Sequence, residues 1–128
     1  MKRKFLLLAM YRAMDCLYDE QEKPSDELIL FLGDLSPYNF LDRKAADPAL
    51  QADFDNFLDK QNIYAEVDEE TAYYAVKNFL AEQYPKFVEW AASDSQSEKS
   101  LSFADLFEKI SIDEWKKLCE IISDEEEK

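Results

Sequence analysis

The 128-residue chain has no histidine, one glycine, two cysteines and four prolines. Without histidine it cannot assemble a Ser-His-Asp or Cys-His catalytic group from its own residues. The zinc sites that need histidine and the usual di-iron site of helical bundles are excluded for the same reason. A single glycine also rules out glycine-rich phosphate loops and the dinucleotide-binding fingerprint. We therefore expect no catalytic residue, no cofactor and no bound metal.

The two cysteines, Cys16 and Cys119, lie near opposite ends of the sequence. Two such thiols do not make a disulfide framework. Both fall within apolar helical patterns, which predicts that both are small core residues. Unpaired thiols are typical of a reducing compartment, so the cysteine usage favours a cytoplasmic location.

The charge of the chain is strongly negative and unevenly distributed. There are 29 acidic and 15 basic residues, which give a net charge of −14. The first twelve residues contain four basic side chains and no acidic one, so the remaining 116 carry a net charge of −18. Such a surface repels nucleic acid and anionic membranes and attracts a basic protein partner. The simpler alternative is that the acidity only keeps the protein soluble.

Three basic residues at positions 2–4 precede an apolar run that begins at Phe5, an arrangement that resembles the start of a signal peptide. The run ends at Arg12 and is far too short to span a membrane. No small-residue cleavage site follows, and the aspartate directly before Cys16 disfavours a lipoprotein signal. We therefore interpret this stretch as the first helix of the fold.

Apolar residues recur at helical spacing along most of the chain, and cap residues precede several of the segments. The predicted helices cover about residues 3–20, 25–36, 47–60 and 68–84, with two shorter helices after Ser102 and Ser111. The first is apolar around most of its circumference, which predicts a central position. These patterns predict an all-α fold, a single domain over residues 1–128 built as a compact irregular or orthogonal bundle of six to seven helices.

Several stretches depart from this helical pattern. Residues 93–100 are rich in serine and charge and predict a mobile loop, and residues 124–128 predict a frayed acidic tail. Residues 63–67 could form a short strand, but no second strand is evident. Pro85 breaks or restarts the fourth helix, and the sequence continues apolar to residue 91.

The connection from Pro37 to Asp47 is the stretch that we select for recognition. It places Tyr38 and Phe40 beside Asp42 and Asp47 on a loop held between two helices. Aromatic anchors with a charged rim are typical of protein interfaces. The alternative is that the aromatic side chains close the core beneath a long loop.

The densest internal acidic run consists of Glu66, Asp68, Glu69 and Glu70. Carboxylates in the first turn of a helix interact favourably with the helix dipole, so the run has a structural explanation. It is also a candidate docking patch for a basic surface. On the third helix, residues 53–59 contain three aspartates that indicate a solvated face, with metal capture as the alternative.

Three short segments carry a resemblance to known proteins. Residues 17–21 (LYDEQ), 24–28 (PSDEL) and 45–49 (AADPA) are similar to segments of small acidic helical proteins among the bacterial toxin-immunity and accessory proteins. The resemblance implies a cytoplasmic bacterial protein that neutralises its partner by occlusion.

The leading hypothesis is therefore a non-catalytic acidic binding protein, most concretely an immunity protein or antitoxin, that docks a basic protein partner. One alternative is a nucleic-acid mimic whose carboxylates imitate phosphates and inhibit a DNA-binding protein. The other is an enzyme that uses carboxylate, lysine or tyrosine side chains as acids and bases. The oligomeric state stays open at this point.

Overall fold

A computed structural model describes residues 1–19, 26–38, 44–83, 87–90 and 99–126. In these ranges the chain folds as an all-α bundle, as the sequence predicts. A short 3-10 helix, Arg3–Phe5, leads into the first α-helix. The six α-helices are α1 (Leu6–Asp19), α2 (Asp26–Leu35), α3 (Pro48–Lys60), α4 (Glu69–Gln83), α5 (Phe103–Phe107) and α6 (Ile112–Glu126).

Helix α1 lies at the centre of the bundle, as predicted. It packs against α2, α4, α5 and α6. Its buried side chains are Leu6, Leu7, Leu8, Ala9, Met10, Ala13, Met14 and Leu17. They belong to one hydrophobic core that includes the buried faces of all six helices. A helix that is apolar on several sides can bury its surface only when neighbours cover those sides, which explains its position.

The predicted caps fix where the helices begin. The Asp47 carboxylate accepts a hydrogen bond from the backbone N–H of Ala49 at 3.0 Å, and Pro48 occupies the first position of α3. Ser111 and Glu114 form a reciprocal capping box at the start of α6, with hydrogen bonds of 3.1 and 3.3 Å. These caps confirm the corresponding boundaries read from the sequence.

The end of α3 turns the chain back toward its beginning. Asn62 adopts a positive φ of 61°, which asparagine tolerates better than most residues. The backbone N–H of Asn62 donates to Asp59 and that of Ile63 donates to Leu58, at 3.1 and 3.0 Å. This pair of bonds is a Schellman motif, and buried Ile63 covers the end of the helix.

The segment after α3 runs alongside the first residues of the chain. Arg3 donates its backbone N–H to Ala65 at 2.7 Å, and Val67 donates to Met1 at 2.9 Å. Lys2 and Glu66 form an isolated antiparallel bridge. The extended character considered for residues 63–67 is therefore limited to this bridge in the described part of the chain.

An aromatic cluster joins α4, α5 and α6. The rings of Tyr73 and Phe107 lie 4.9 Å apart, and Trp115 packs edge-on against Phe107 at 5.5 Å. The Trp115 indole N–H donates to the backbone carbonyl of Glu69, and the Tyr73 hydroxyl donates to that of Ile110, both at 2.8 Å. The polar atoms of these buried rings are therefore satisfied, as burial requires.

Two short strands modify the helical prediction. The apolar run after Pro85 forms β1 (Phe87–Trp90), which pairs antiparallel with β2 (Lys99–Ser102). Phe, Val and Trp favour strands once a proline has ended the helix, whereas the polar partner strand gives no such signal. The predicted mobile loop at 93–100 is thus wrong for Lys99 and Ser100, which lie in β2, and residues 93–98 fall outside the described residues.

The predicted tail, residues 124–128, begins within a helix, and residues 127–128 fall outside the described residues. Helix α6 continues to Glu126, so residues 124–126 are helical. Glutamate is a good helix former, and the Arg12 guanidinium holds the Glu125 carboxylate at 2.8 Å. An ion pair between positions so distant in sequence cannot be read from the local pattern.

The two cysteines differ in their environment. Cys119 is buried, as predicted, whereas Cys16 is exposed on α1, which corrects the prediction of a core residue. Because α1 is apolar nearly all round, its pattern did not reveal which side faces solvent. Burial, reinforced by the charge of Glu69, raises the pKa of the Cys119 thiol to about 12.

We expect these thiols to react at very different rates. A disulfide reagent at mildly alkaline pH should modify one thiol per folded chain rapidly, because only Cys16 is accessible. The second thiol should react only after denaturation. The variant Cys16→Ser should lose the rapid phase, and rapid modification of that folded variant would contradict the assignment.

Candidate interaction surface

Tyr38 lies just beyond α2 and is held against the middle of α1. Helix α2 ends at Leu35, before Ser36 and Pro37, as the proline predicts. The Tyr38 ring is 49% exposed and packs edge-on against Tyr11, with the centroids 5.5 Å apart. The Tyr38 side chain is therefore accessible from solvent and is held in one orientation by Tyr11. It does not fill a space in the core.

Arg12 connects Tyr38 to the end of α6. Its Nε atom donates to the Tyr38 hydroxyl at 3.4 Å, and its Nη2 atom lies 2.8 Å from a carboxylate oxygen of Glu125. Burial lowers the pKa of Arg12, but the hydrogen bonds and charges of Tyr38 and Glu125 outweigh it and raise the pKa. The guanidinium therefore remains charged and fixes three elements relative to one another.

One further acid and one exposed aliphatic side chain lie one helical turn from residues of this contact. Asp15 follows Tyr11 by one turn of α1. On α6, Ile121 is 52% exposed and precedes Glu125 by one turn. We call the set Tyr11, Asp15, Tyr38, Ile121 and Glu125 the tyrosine–acid surface. It combines aromatic and aliphatic groups with carboxylates, the composition expected of a protein-binding patch.

The protonation of this surface is perturbed. Burial first, and then the charge of Asp19 one turn away, raise the pKa of Asp15. Burial, followed by the charges of Asp15 and Tyr38, raises the pKa of the Tyr11 hydroxyl. The Asp15 carboxylate therefore ionises in a partly buried position, one turn from the charge of Asp19. A cationic group from a partner would relieve this repulsion.

We expect Asp15→Asn to stabilise the fold at neutral pH. The folded state raises the pKa of Asp15, so it favours the protonated carboxyl and is penalised when the carboxyl ionises. This penalty is absent below the unfolded pKa and appears as the pH rises through the folded pKa. At pH 7 the free energy of unfolding of the variant should be about 0.5 kcal/mol higher than that of the wild type. This is the size of the repulsion between two like charges one helical turn apart.

Urea denaturation at pH 7 and again near pH 3 checks this prediction. The difference between Asp15→Asn and the wild type should shrink at the lower pH, where Asp15 is protonated in both states. A variant that is less stable than the wild type at pH 7 would contradict the assigned repulsion.

The rest of the selected connection has a different role. Asp47 caps α3, and its backbone N–H donates to the carbonyl of Asp34 at 2.9 Å. Ala46 donates to Ser36 at 3.0 Å, so the two ends of the loop are tied together. Phe40 and Asp42 lie outside the described residues. Of the four selected side chains, Tyr38 is the one that the structure places on an accessible surface with carboxylates nearby.

The second selected patch, Glu66 to Glu70, lies beside the start of the chain and not beside Tyr38. Asp68 caps α4 by accepting from the backbone N–H of Thr71 at 3.1 Å, and the hydrogen bonds from Thr71 lower its pKa. Glu69 is partly buried, whereas Glu66 and Glu70 are exposed. The capping contact supports the structural explanation for Asp68. A docking role for the exposed glutamates stays a prediction.

Four members of the tyrosine–acid surface were not selected from the sequence: Tyr11, Asp15, Ile121 and Glu125. A signal was present for Ile121. It lies off the buried seam of α6 and is flanked by charged residues at Glu120 and Asp124. An isoleucine on a polar helix face must be solvated or covered by something else. No local signal joined Glu125 to Tyr38.

The aspartates of α3 lie on a solvated face, as predicted, with the side chains of Asp55 and Asp59 45% and 53% exposed. The Arg3 guanidinium donates to the Asp59 carboxylate and lies 3.6 Å from a carboxylate oxygen of Asp55. Asp55 and Asp59 therefore also neutralise an arginine, a pairing that the sequence did not predict. Within the described ranges, no group of three or more acidic or cysteine side chains is arranged to hold a metal ion.

None of the described helices combines the length and the apolar character that crossing a membrane requires. Comparison of the chain with protein-family models, with curated proteins and with solved structures gives no match.

Proposed function

We propose that this chain is a non-catalytic binding protein that docks a basic protein partner through the tyrosine–acid surface. The observation that carries the proposal is the cluster itself. Arg12 joins Tyr38 to Glu125, Tyr38 packs against Tyr11, and the exposed Ile121 lies one helical turn before Glu125. Aromatic anchors that are already oriented lose little conformational freedom on binding, which favours affinity.

The charge balance of the described surface supports a positively charged partner. Arg3, Arg12 and Lys77 are each engaged in an ion pair within the molecule. The basic residues whose described side chains are exposed are Lys4, Lys44, Lys60, Lys109 and Lys117. Helix α6 alone exposes as many acids: Asp113, Glu114, Glu120, Asp124 and Glu125. This excess attracts a cationic protein and increases the rate of encounter.

The most concrete form of the proposal is a bacterial immunity protein or antitoxin that acts in the cytoplasm. Its action would be occlusion, because a rigid helical surface needs no chemistry to cover the active region of a toxin. The resemblance of residues 17–21, 24–28 and 45–49 to such proteins supports this form, and so does the negative charge. Toxins that act on nucleic acid are themselves expected to be basic, since they must bind phosphates.

Affinity capture tests the proposal. The full chain is immobilised and exposed at low salt to a lysate of the cells that produce it, and bound proteins are identified by mass spectrometry. We expect a basic protein that elutes as the salt concentration rises. Recovery of no basic protein at low salt would contradict the proposal.

Matched variants locate the contact. The surface variant combines Tyr38→Ser and Ile121→Ser with Asp124→Lys, which reverses the exposed charge next to Glu125 on α6. The control variant makes the same kinds of change elsewhere, with Tyr74→Ser, Leu30→Ser and Glu82→Lys at exposed positions. We expect the surface variant to lose at least about thirtyfold in affinity, since an anchor residue contributes about 2 kcal/mol or more. Equal losses in both variants would place the contact elsewhere.

One feature of α6 favours protein docking over nucleic-acid mimicry. Asp113, Glu120 and Asp124 follow one helix face, but Lys117 interrupts the stripe that a phosphate mimic needs. A DNA-binding protein among the captured partners would reverse this preference.

A further inference from the structure

The last turn of α6 lies beyond the part of the helix that is anchored in the core. The buried side chains of α6 are Trp115, Cys119 and Ile122, so its anchorage ends at Ile122. Residues 123–126 follow, and none of these four described residues is buried. We call them the terminal turn. Because packing of an apolar face supplies most of the stability of a helix in a protein, this turn depends on other interactions.

The local charges oppose a helical terminal turn. Asp124, Glu125 and Glu126 lie at the C-terminal end of α6, and the last turn of this described helix contains no basic residue. The helix dipole makes this end partly negative, so carboxylates are unfavourable there. Glu120 and Asp124 are also one turn apart, the spacing at which like charges on a helix repel. The sequence of the terminal turn therefore favours fraying.

A long-range ion pair offsets this tendency. The Nη2 atom of Arg12 lies 2.8 Å from a carboxylate oxygen of Glu125, and the Arg12 side chain is only 26% exposed. Arg12 belongs to α1, the central helix of the bundle, and its Nε atom also donates to the Tyr38 hydroxyl at 3.4 Å. The terminal turn is therefore tied to the most firmly packed element through a guanidinium that is itself held in place.

We propose that the terminal turn exchanges between a docked and an undocked state, and that the Arg12–Glu125 ion pair holds it in the docked state. Docking joins Glu125 to Tyr38 through Arg12, whereas undocking removes Glu125 from the tyrosine–acid surface. The exchange therefore regulates binding, a consequence that rests on the proposed function. Only the docked fraction is competent to bind, so undocking weakens the apparent affinity in proportion to that fraction.

Amide hydrogen exchange of the full, isotopically labelled chain, measured by NMR, tests the proposal without a partner. Glu125→Gln removes the ion pair and keeps a good helix former at the position. We expect the amides of residues 123–126 to exchange about fivefold faster in this variant, the upper range for the loss of a partly exposed ion pair. The Cα chemical shifts of the same residues should move toward random-coil values.

Asp124→Asn is the matched control, because it removes one negative charge from the same turn. Asp124 is exposed and takes no part in the contact between Arg12 and Glu125. Its loss should leave the exchange unchanged or slow it, since an unfavourable charge at the end of the helix disappears. Both variants keep Glu126, which has an interaction of its own. An equal acceleration in both variants would overturn the proposal.

Exchanging the two charges provides a rescue. Arg12→Glu should accelerate the exchange of residues 123–126, and adding Glu125→Arg should restore most of the protection, because opposite charges again face each other. Effects of the two substitutions that only add together would overturn the proposal. If Arg12→Glu does not fold, the comparison of Glu125→Gln with Asp124→Asn still decides.

This proposal and the proposed function fail in different experiments. Hydrogen exchange that is the same in Glu125→Gln and in the wild type overturns the docking of the terminal turn, whichever protein the chain captures. A chain that captures no basic protein contradicts the proposed function and leaves the exchange result as it stands.

Discussion

Replacing Trp115 by alanine lowers the free energy of unfolding by about 3–5 kcal/mol, the usual loss for a large aromatic side chain removed from a core. Trp115 is completely buried and contacts the rings of Phe107 and Tyr73. The substitution leaves a cavity among α4, α5 and α6 and also removes the hydrogen bond to Glu69. A loss of this size is a large part of the stability of a typical domain.

Urea denaturation followed by circular dichroism measures the effect without relying on tryptophan fluorescence. Trp115→Phe separates the two contributions, because it retains an aromatic ring but leaves the Glu69 carbonyl without its indole donor. We expect this variant to lose about 1–3 kcal/mol. It also keeps the prediction testable if the alanine variant does not fold. A Trp115→Ala protein within about 1 kcal/mol of the wild type contradicts the packing described for α6.

The second large effect is expected at Arg3. Its guanidinium donates to the Asp59 carboxylate, to the carbonyl of Ile63 at 2.8 Å and to that of Asp55 at 3.1 Å. The side chain is only 19% exposed. Arg3→Ala should therefore lose about 3 kcal/mol, since partly buried hydrogen bonds to a charged group contribute about 1.5–3 kcal/mol.

Arg3→Lys is the informative control. It keeps the charge, but a single ammonium group cannot reach three acceptors in the planar arrangement that a guanidinium provides. We expect it to recover less than half of the loss. Full recovery with lysine would show that charge alone matters, and an alanine variant as stable as the wild type would show that the contact contributes nothing.

The local features of the fold could be predicted from the sequence. Asp47, Asp68 and Ser111 precede their helices with the chemistry of caps, and each forms the expected hydrogen bond. The buried stripe of α2, which contains Leu28, Phe31, Leu32 and Leu35, also follows directly from its spacing. These features depend on residues a few positions apart, and the sequence pattern reports such relations well.

The features that the sequence did not reveal depend on distant pairs. The polar strand Lys99–Ser102 becomes a strand because it pairs with Phe87–Trp90. Arg12 meets Glu125 only after the bundle has closed, and that contact creates the tyrosine–acid surface. Cys16 is exposed because the neighbours of α1 leave one side open. Spacing within a segment contains no information about such neighbours.

The most direct test of the central claim is the salt dependence of binding between the immobilised chain and the basic protein that it captures. Association should slow steeply as salt rises while dissociation changes little, because long-range attraction governs encounter and close packing governs release. The variant with Tyr38→Ser, Ile121→Ser and Asp124→Lys should bind much more weakly at every salt concentration. A binding affinity that changes neither with salt nor with these substitutions would contradict docking of a basic partner through the tyrosine–acid surface.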